Sequence, residues 1–188
     1  MKCNASPRRN ASPRRNSPVR TSVNNVKNYL INFNKNIKVT NEPGVGSRRR
    51  LQVSMYVNGE KAGYAGVEID PYGYAEFNMG RTYNKFEKRD IGRILRALLT
   101  KAVINAGKYN RITHDGANIN RKLNKNNTNK RPISTRIMQK KLGYTPNNKN
   151  PNKVSIFTKN SNKSLVNKTL NNYKKGLIGP KSRSLKMR

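Results

Sequence analysis

At 188 residues the chain has room for one modest core with tails, since a single core takes about 100 to 200 residues. Its 41 Lys and Arg against 8 Asp and Glu leave a formal charge of +33, which calls for a polyanionic partner. The one cysteine, Cys3, excludes an intrachain disulfide and a four-cysteine metal site. No apolar run reaches the roughly 18 to 20 residues of a membrane span, and the N-terminus lacks the apolar core of a secretory leader. The expectation is an intracellular protein, placed in a nucleus or virus particle, with no membrane partner.

The charge is uneven. All eight acids lie between Glu42 and Asp115, so residues 1–41 and 116–188 are purely cationic flanks around a nearly balanced middle. Asparagine supplies 30 residues, as codon bias in an AT-rich genome would give; a large DNA virus, a protist or an intracellular bacterium would fit.

Taken in chain order, residues 1–25 read as a disordered tail, since they carry almost nothing to bury. Within them Asn-Ala-Ser-Pro-Arg-Arg occurs at 4–9 and again at 10–15. These repeats resemble the SPKK-type repeats of histone tails, which implies that Arg8, Arg9, Arg14 and Arg15 contact DNA in A·T-rich minor grooves, with salt-sensitive affinity. A solubilising tail or a localisation signal is the alternative. Ser6 and Ser12 precede proline, and phosphates there would cancel the adjacent arginines.

A folded domain is expected over 26–158. Residues 51–70 read as two strands joined at Asn58-Gly59, the sequence of a tight hairpin. Pro71-Tyr72-Gly73 is a second turn and 74–83 a third strand. Ile91, Ile94, Leu95, Leu98, Leu99, Ala102 and Val103 recur with helical spacing, which predicts a helix over 91–106 with Asp90 as N-cap and Gly107 as stop. Arg93, Arg96 and Lys101 fall on its polar side. A strand at 111–116, a helix at 134–141 and a strand at 154–158 follow, and the order makes a mixed α/β layer. Residues 159–188, rich in Asn, Lys and Ser, read as a second disordered basic tail. Arg48, Arg49 and Arg50 form either a phosphate-contacting cluster or a solvated strand entrance. The lone histidine, His114, alternates with Ile112 and has no clustered partners for a metal, so no metal site is assigned.

The order of hairpin, strand, basic loop, helix, strand and short helix ending in Leu142-Gly143-Tyr144 resembles the GNAT acetyltransferase superfamily over roughly 51–158. The resemblance implies a mixed, mostly antiparallel sheet flanked by helices, and acetyl-CoA as cofactor. The family's phosphate-binding motif, R/Q-x-x-G-x-G/A, falls on Glu87-Lys88-Arg89-Asp90-Ile91-Gly92. Gly92 keeps the last position, Glu87 replaces Arg/Gln and Asp90 replaces the central glycine. Phe86 falls where the family has an aromatic, and Tyr74-Ala75-Glu76 where some members carry aromatic-Ala-Glu. The resemblance implies Glu76 as general base, Thr82, Arg89, Gly92, Arg93 and Asn120 around the cofactor, and Tyr144 or Tyr83 as acid, because Met138 or Gln139 occupies the usual tyrosine position. Two functions stay open: an N-acetyltransferase acting on an amine, basic proteins included, and held on nucleic acid by its tails; or a non-catalytic nucleic-acid-binding structural or virion protein on a degenerate scaffold. A ribosome-associated, RNA-binding role is a third possibility.

Overall fold

The computed structural model describes residues 23–44, 46–87, 89–107, 109–116, 133–151 and 154–179. Helix α1 (Val23–Ile31) leads into β1 (Ile37–Pro43), β2 (Arg49–Val57), β3 (Glu60–Ile69) and β4 (Tyr74–Thr82). A 3-10 turn at Asn84–Phe86 then precedes α2 (Ile91–Asn105) and β5 (Arg111–Asp115). The chain closes with α3 (Ile133–Leu142), β6 (Thr145–Pro146), β7 (Val154–Thr158) and α4 (Ser164–Lys174). Among the described residues seven strands form one sheet in the order β1-β2-β3-β4-β5-β7-β6, antiparallel at every junction except the parallel β4/β5 pair. This is the expected class: a mixed, mostly antiparallel sheet flanked by helices.

Local chemistry explains the meander. Asn58 and Gly59 both take positive φ, 50° and 80°, as a two-residue hairpin turn whose twist matches its strands requires. At the next turn Asp70 Oδ1 accepts from the amides of Tyr72 and Tyr74 at 2.8 and 2.9 Å, so one side chain sets where β4 begins.

Among the described residues the helices touch one another and lie on one face of the sheet, α2 contacting β2, β3 and β4 as well as α1, α3 and α4. The core lies between them: Leu51, Val53, Val67, Phe77, Ile112 and Phe157 from the strands meet Ile94, Leu95, Leu98 and Leu99 of α2. On the opposite face alternate residues such as Arg50, Gln52, Glu68, Glu76 and Thr113 sit in cross-strand register.

Two expectations change. Residues 23–43, to which no helix or strand is assigned above, hold α1 and then an edge strand, β1, whose Ile37 and Val39 pair with Met55 and Val53 of β2. Residues 159–188, read as a structureless tail, contribute α4. Val166, Thr169 and Leu170 are buried on it, one turn of spacing apart, and seat it on α2. Those few apolar positions suffice because α2 is apolar around most of its girth and needs cover on this side. Residues 1–22 and 180–188 lie outside the described residues.

This packing has a measurable consequence. Leu170→Ala is expected to lower the unfolding free energy by about 2–4 kcal/mol in urea titrations, the range for deleting a buried leucine side chain. Leu177→Ala, at a position 64% exposed, is expected to change it by less than about 0.5 kcal/mol. Equal effects would mean that α4 is not part of the core.

Candidate functional site

The site is built where β4 parts from β5. The two strands pair from Tyr74↔Arg111 to Phe77↔His114 and no further. On its other side β4 stays paired to β3, but Val67 meets Phe77 and Gly66 meets Met79. Asn78 is thus an extra residue, a β-bulge that re-aims the strand. From Asn78 to Thr82 the edge of β4 that faced β5 has no strand partner among the described residues.

The first turn of α2 sits against this free half of β4. A Cβ on Gly92 would lie 3.2 Å from Thr82 Oγ1 and 3.0 Å from Arg96 Nη1. On Gly63 of β3 it would lie 3.0 Å from Ile91 Cγ2 and 2.7 Å from the Arg81 carbonyl oxygen. Two glycines therefore let the helix end and the strand meet with almost no side chain between them.

Asp90 precedes the helix but does not cap it as expected. It takes the left-handed conformation, φ 58° and ψ 14°, and its carboxylate makes no hydrogen bond to the helix amides. It pairs instead with Arg93 Nη2 at 3.1 Å. Position 90, where the family motif has glycine, keeps glycine's backbone, which Asp tolerates better than most side chains. The first-turn amides of a helix have no intrahelical acceptor and carry the positive end of its dipole, so Ile91, Gly92 and Arg93 present donors suited to an anion. Arg89 stands beside them, its guanidinium 5.9 Å from the Phe86 ring centroid, and Arg93 Nε has no partner. Thr82, Gly92 and Arg93 are thus brought together, and Arg89 precedes them with its guanidinium over Phe86. Asn120 lies outside the described residues.

Glu76 stands on the helix-free face, one residue before the strands part. It lines a groove of about 250 Å³ with Arg48, Glu68, Asp70, Tyr74, Arg111 and Thr113. Arg48 Nη1 lies 3.4 Å from Glu76 and 3.7 Å from Glu68. Arg50 Nε donates to Glu68 at 3.0 Å, and Arg50 also approaches Glu42 at 3.9 Å. Arg48 and Arg50, weighed above as phosphate contacts, are therefore matched to carboxylates, and Arg49 begins β2 opposite Ile69. Arg8, Arg9, Arg14 and Arg15 lie outside the described residues.

Tyr144 is not where an acid catalyst is needed. It is buried against Phe157, and its hydroxyl lies 2.7 Å from Thr100 Oγ1. Thr100 Oγ1 donates to the Arg96 carbonyl oxygen at 2.8 Å, so the phenol is the donor to Thr100. Burial raises its pKa well above the ordinary 10, which keeps it protonated and in the core.

Two residues of this region carry more than their sequence context suggested. Arg96, assigned above to the polar side of α2, is only 6% exposed. Helical side chains lean toward the N-terminus, which brings its guanidinium under the first turn: Nη1 donates to the Gly92 carbonyl oxygen at 3.1 Å, and Nε has no partner. Burial lowers its pKa to about 10, so it stays charged at neutral pH. His114 is fully buried, edge-on to Phe77 at 6.2 Å, with neither ring nitrogen hydrogen-bonded. Burial and the nearby Arg96 charge push its pKa down to about 3. The sequence signal for Arg96 was its place one turn from Gly92 and beside Leu99 and Val103, at the border of the apolar stripe.

Among the described residues no three His, Cys, Asp or Glu cluster as a metal site, and no helix is long and apolar enough to cross a membrane. No protein-family model and no curated protein matches the sequence. Among solved structures the chain is similar to a tandem GNAT protein from the clavulanic acid biosynthesis pathway, at 15% identity and a TM-score of 0.35, over 38% of this chain and 22% of that one. It is also similar to nourseothricin acetyltransferase, at 16% identity and a TM-score of 0.30, over 39% of this chain and 43% of that one. The chain spans less than half the length of either.

His114 gives a pH test. Its folded pKa of about 3 lies below the ordinary 6.5, so between those values the unfolded chain binds the extra proton and stability falls as pH falls. From pH 6 to pH 4, wild type is expected to lose up to about 1.4 kcal/mol per pH unit more than His114→Leu. Parallel stability curves for the two proteins would contradict this placement of His114.

Proposed function

We propose that this chain is an N-acyltransferase of the GNAT type, transferring an acetyl-class group from an acyl-CoA to an amine. The observation that carries the reading is the coincidence, at one place, of the bulge at Asn78, the parting of β4 from β5, and an α2 first turn seated on β4 through Gly92.

The residues fit the cofactor's phosphates and its amide-bearing arm. The Ile91–Arg93 amides with Arg89 and Arg93 suit a diphosphate, and the unpaired edge of β4 from Met79 to Thr82 suits amide groups that hydrogen-bond as a strand does. Asp90 opposes an anion, but its charge is partly offset by Arg93. Acetyl-CoA, when bound, supplies an activated thioester.

The chain's own part is then to orient and to move protons. An amine entering along the groove meets Glu76, whose carboxylate is open to solvent and shared with Arg48; Glu76 takes the proton that makes the amine nucleophilic. Asp70 and Glu68 line the same groove and favour a cationic acceptor such as a lysine side chain. Tyr144 takes no part. Tyr83, which follows β4, is the remaining phenol near the split and faces Arg81, 5.2 Å from its ring centroid.

The cationic flanks support a second activity in the same molecule, holding the domain on a polyanion, for which DNA is the natural candidate given the Ser-Pro-Arg-Arg repeats. Affinity for duplex DNA is expected to fall about a thousandfold or more between 50 and 200 mM salt if six or more phosphates are contacted. A salt-independent affinity would count against it.

Isothermal titration with acetyl-CoA tests the main reading: saturable binding is expected, and its absence at millimolar ligand removes the reading. Asp90→Gly, which takes a negative charge from the helix end, is expected to tighten binding several-fold, about 1 kcal/mol. Glu76→Gln is expected to leave that affinity unchanged while slowing transfer to an amine by about a hundredfold or more.

A further inference from the structure

We infer that Arg96 and His114 form a buried oxyanion pocket at the foot of the split between β4 and β5, and that the anion is brought by a ligand. The inference rests on the acyl-transfer reading only for the source it considers, a carboxylate at the end of the transferred acyl group.

The starting point is a charge without a partner. The ion pairs of the described residues engage Arg48, Arg50, Lys85 and Arg93, and none includes Arg96. The undescribed segments 1–22, 117–132 and 180–188 contain no Asp or Glu that could serve instead. Asp90, close in sequence, is committed to Arg93. The guanidinium is held between two glycines: a Cβ on Gly80 would lie 3.0 Å from Nη2, and one on Gly92 3.0 Å from Nη1. One donor is used, to the Gly92 carbonyl oxygen, and Nε is left over.

His114 marks the vertex of the same split, as the last residue of β5 paired to β4. A neutral imidazole has one donor and one acceptor, and here both are buried and unused. Two buried polar side chains with unmet hydrogen-bonding atoms thus stand along β4, His114 opposite Phe77 where the pairing ends and Arg96 against Gly80 in the stretch whose β5-side edge has no strand partner among the described residues.

Folding alone does not favour this arrangement. A buried uncompensated charge costs several kcal/mol, and each orphaned polar atom adds its own desolvation penalty. An apolar side chain at position 96 would continue the stripe of Leu95, Leu99 and Val103. A bidentate oxyanion would answer the charge and Nε together, and His114, donating from one nitrogen, would complete its shell. The competing account is that Arg96 only pins the first turn through Gly92.

The experiment uses the full chain, its Arg96→Met and Arg96→Gln variants, and four probes: inorganic pyrophosphate, succinate, acetyl-CoA and succinyl-CoA. Because the +33 chain binds anions at many places, the deciding readout is the imidazole NMR signal of His114, the only histidine, with the thermal midpoint beside it. In wild type an oxyanion probe is expected to move the His114 signal saturably and raise the midpoint. Arg96→Met is expected to raise the ligand-free midpoint and to weaken the His114 response at least tenfold. Arg96→Gln keeps an amide donor for Gly92 without the charge and is expected to lose the response equally, which covers the case in which the Met variant fails to fold.

A response to succinate, and to succinyl-CoA over acetyl-CoA, assigns an acyl carboxylate; a response to pyrophosphate and to both thioesters alike, with none to succinate, overturns that source. If neither thioester binds but pyrophosphate or succinate still moves His114 through Arg96, the acyl-transfer reading fails and the pocket stands. No movement of His114 with any probe, or an undiminished response in both variants, overturns the pocket.

Discussion

The close approach of α2 to the second half of β4 is the constraint on which the rest depends. It exists because Gly92 and Gly63 have no side chain at the contact: a methyl group on either would lie within about 3 Å of Arg96, Thr82, Ile91 or the Arg81 carbonyl. The bulge at Asn78 turns β4 away from β5 just where this contact begins. Helix dipole, free strand edge and buried guanidinium then converge. Shifting the helix by the width of one methyl group would separate the Ile91–Arg93 amides from Thr82 and expose Arg96. A bulge, a left-handed Asp90 and a buried cation in one small volume each cost stability. Their concentration in one place is the pattern expected of a site rather than of a scaffold.

Charge is organised around this constraint. In a chain of +33 acids are scarce, and most have definite structural work. Glu42, Glu68 and Glu76 hold Arg48 and Arg50 across four strands, Glu60 takes Lys85, Asp90 takes Arg93, and Asp70 sets a turn. Exposed pairs of this kind contribute only about 0–1 kcal/mol each, so their main effect is to fix side chains around the groove. The cationic excess is left to the flanks, and Arg96 is left without a carboxylate.

The meander and α2 were legible because their signals are local. Asn58-Gly59 specifies a turn, and seven apolar residues at helical spacing specify a helix whatever surrounds them. What the sequence hid was hidden by composition or by context. In α4, Val166 and Leu170 stand among Asn, Lys and Ser, and only the apolar surface of α2 gives them something to cover. In β1, Ile37 and Val39 alternate as a strand should, but two residues among Lys and Asn make a weak pattern. Of the candidate site, the family resemblance pointed to Glu76, Thr82, Arg89, Gly92 and Arg93, and Thr82, Gly92 and Arg93 stand at the α2 end. Asp90 was named a cap because Asp commonly is one, yet its left-handed backbone turns the carboxylate away. Tyr144 could have been catalytic or core, and burial beside Phe157 and Thr100 settles its place. Arg96, three residues before Leu99 and seven before Val103, stands at the edge of the apolar stripe, where the packing of neighbouring elements and not the helical period decides whether a side chain is covered.

In the proposed function the ligand lies in the split between β4 and β5, roofed by the first turn of α2. Amide chemical-shift mapping of the full chain with acetyl-CoA tests it most directly. Saturable shifts centred on Met79–Thr82 and Ile91–Arg93 are expected. Shifts confined to the cationic flanks, with those two segments unmoved at saturating ligand, would contradict it.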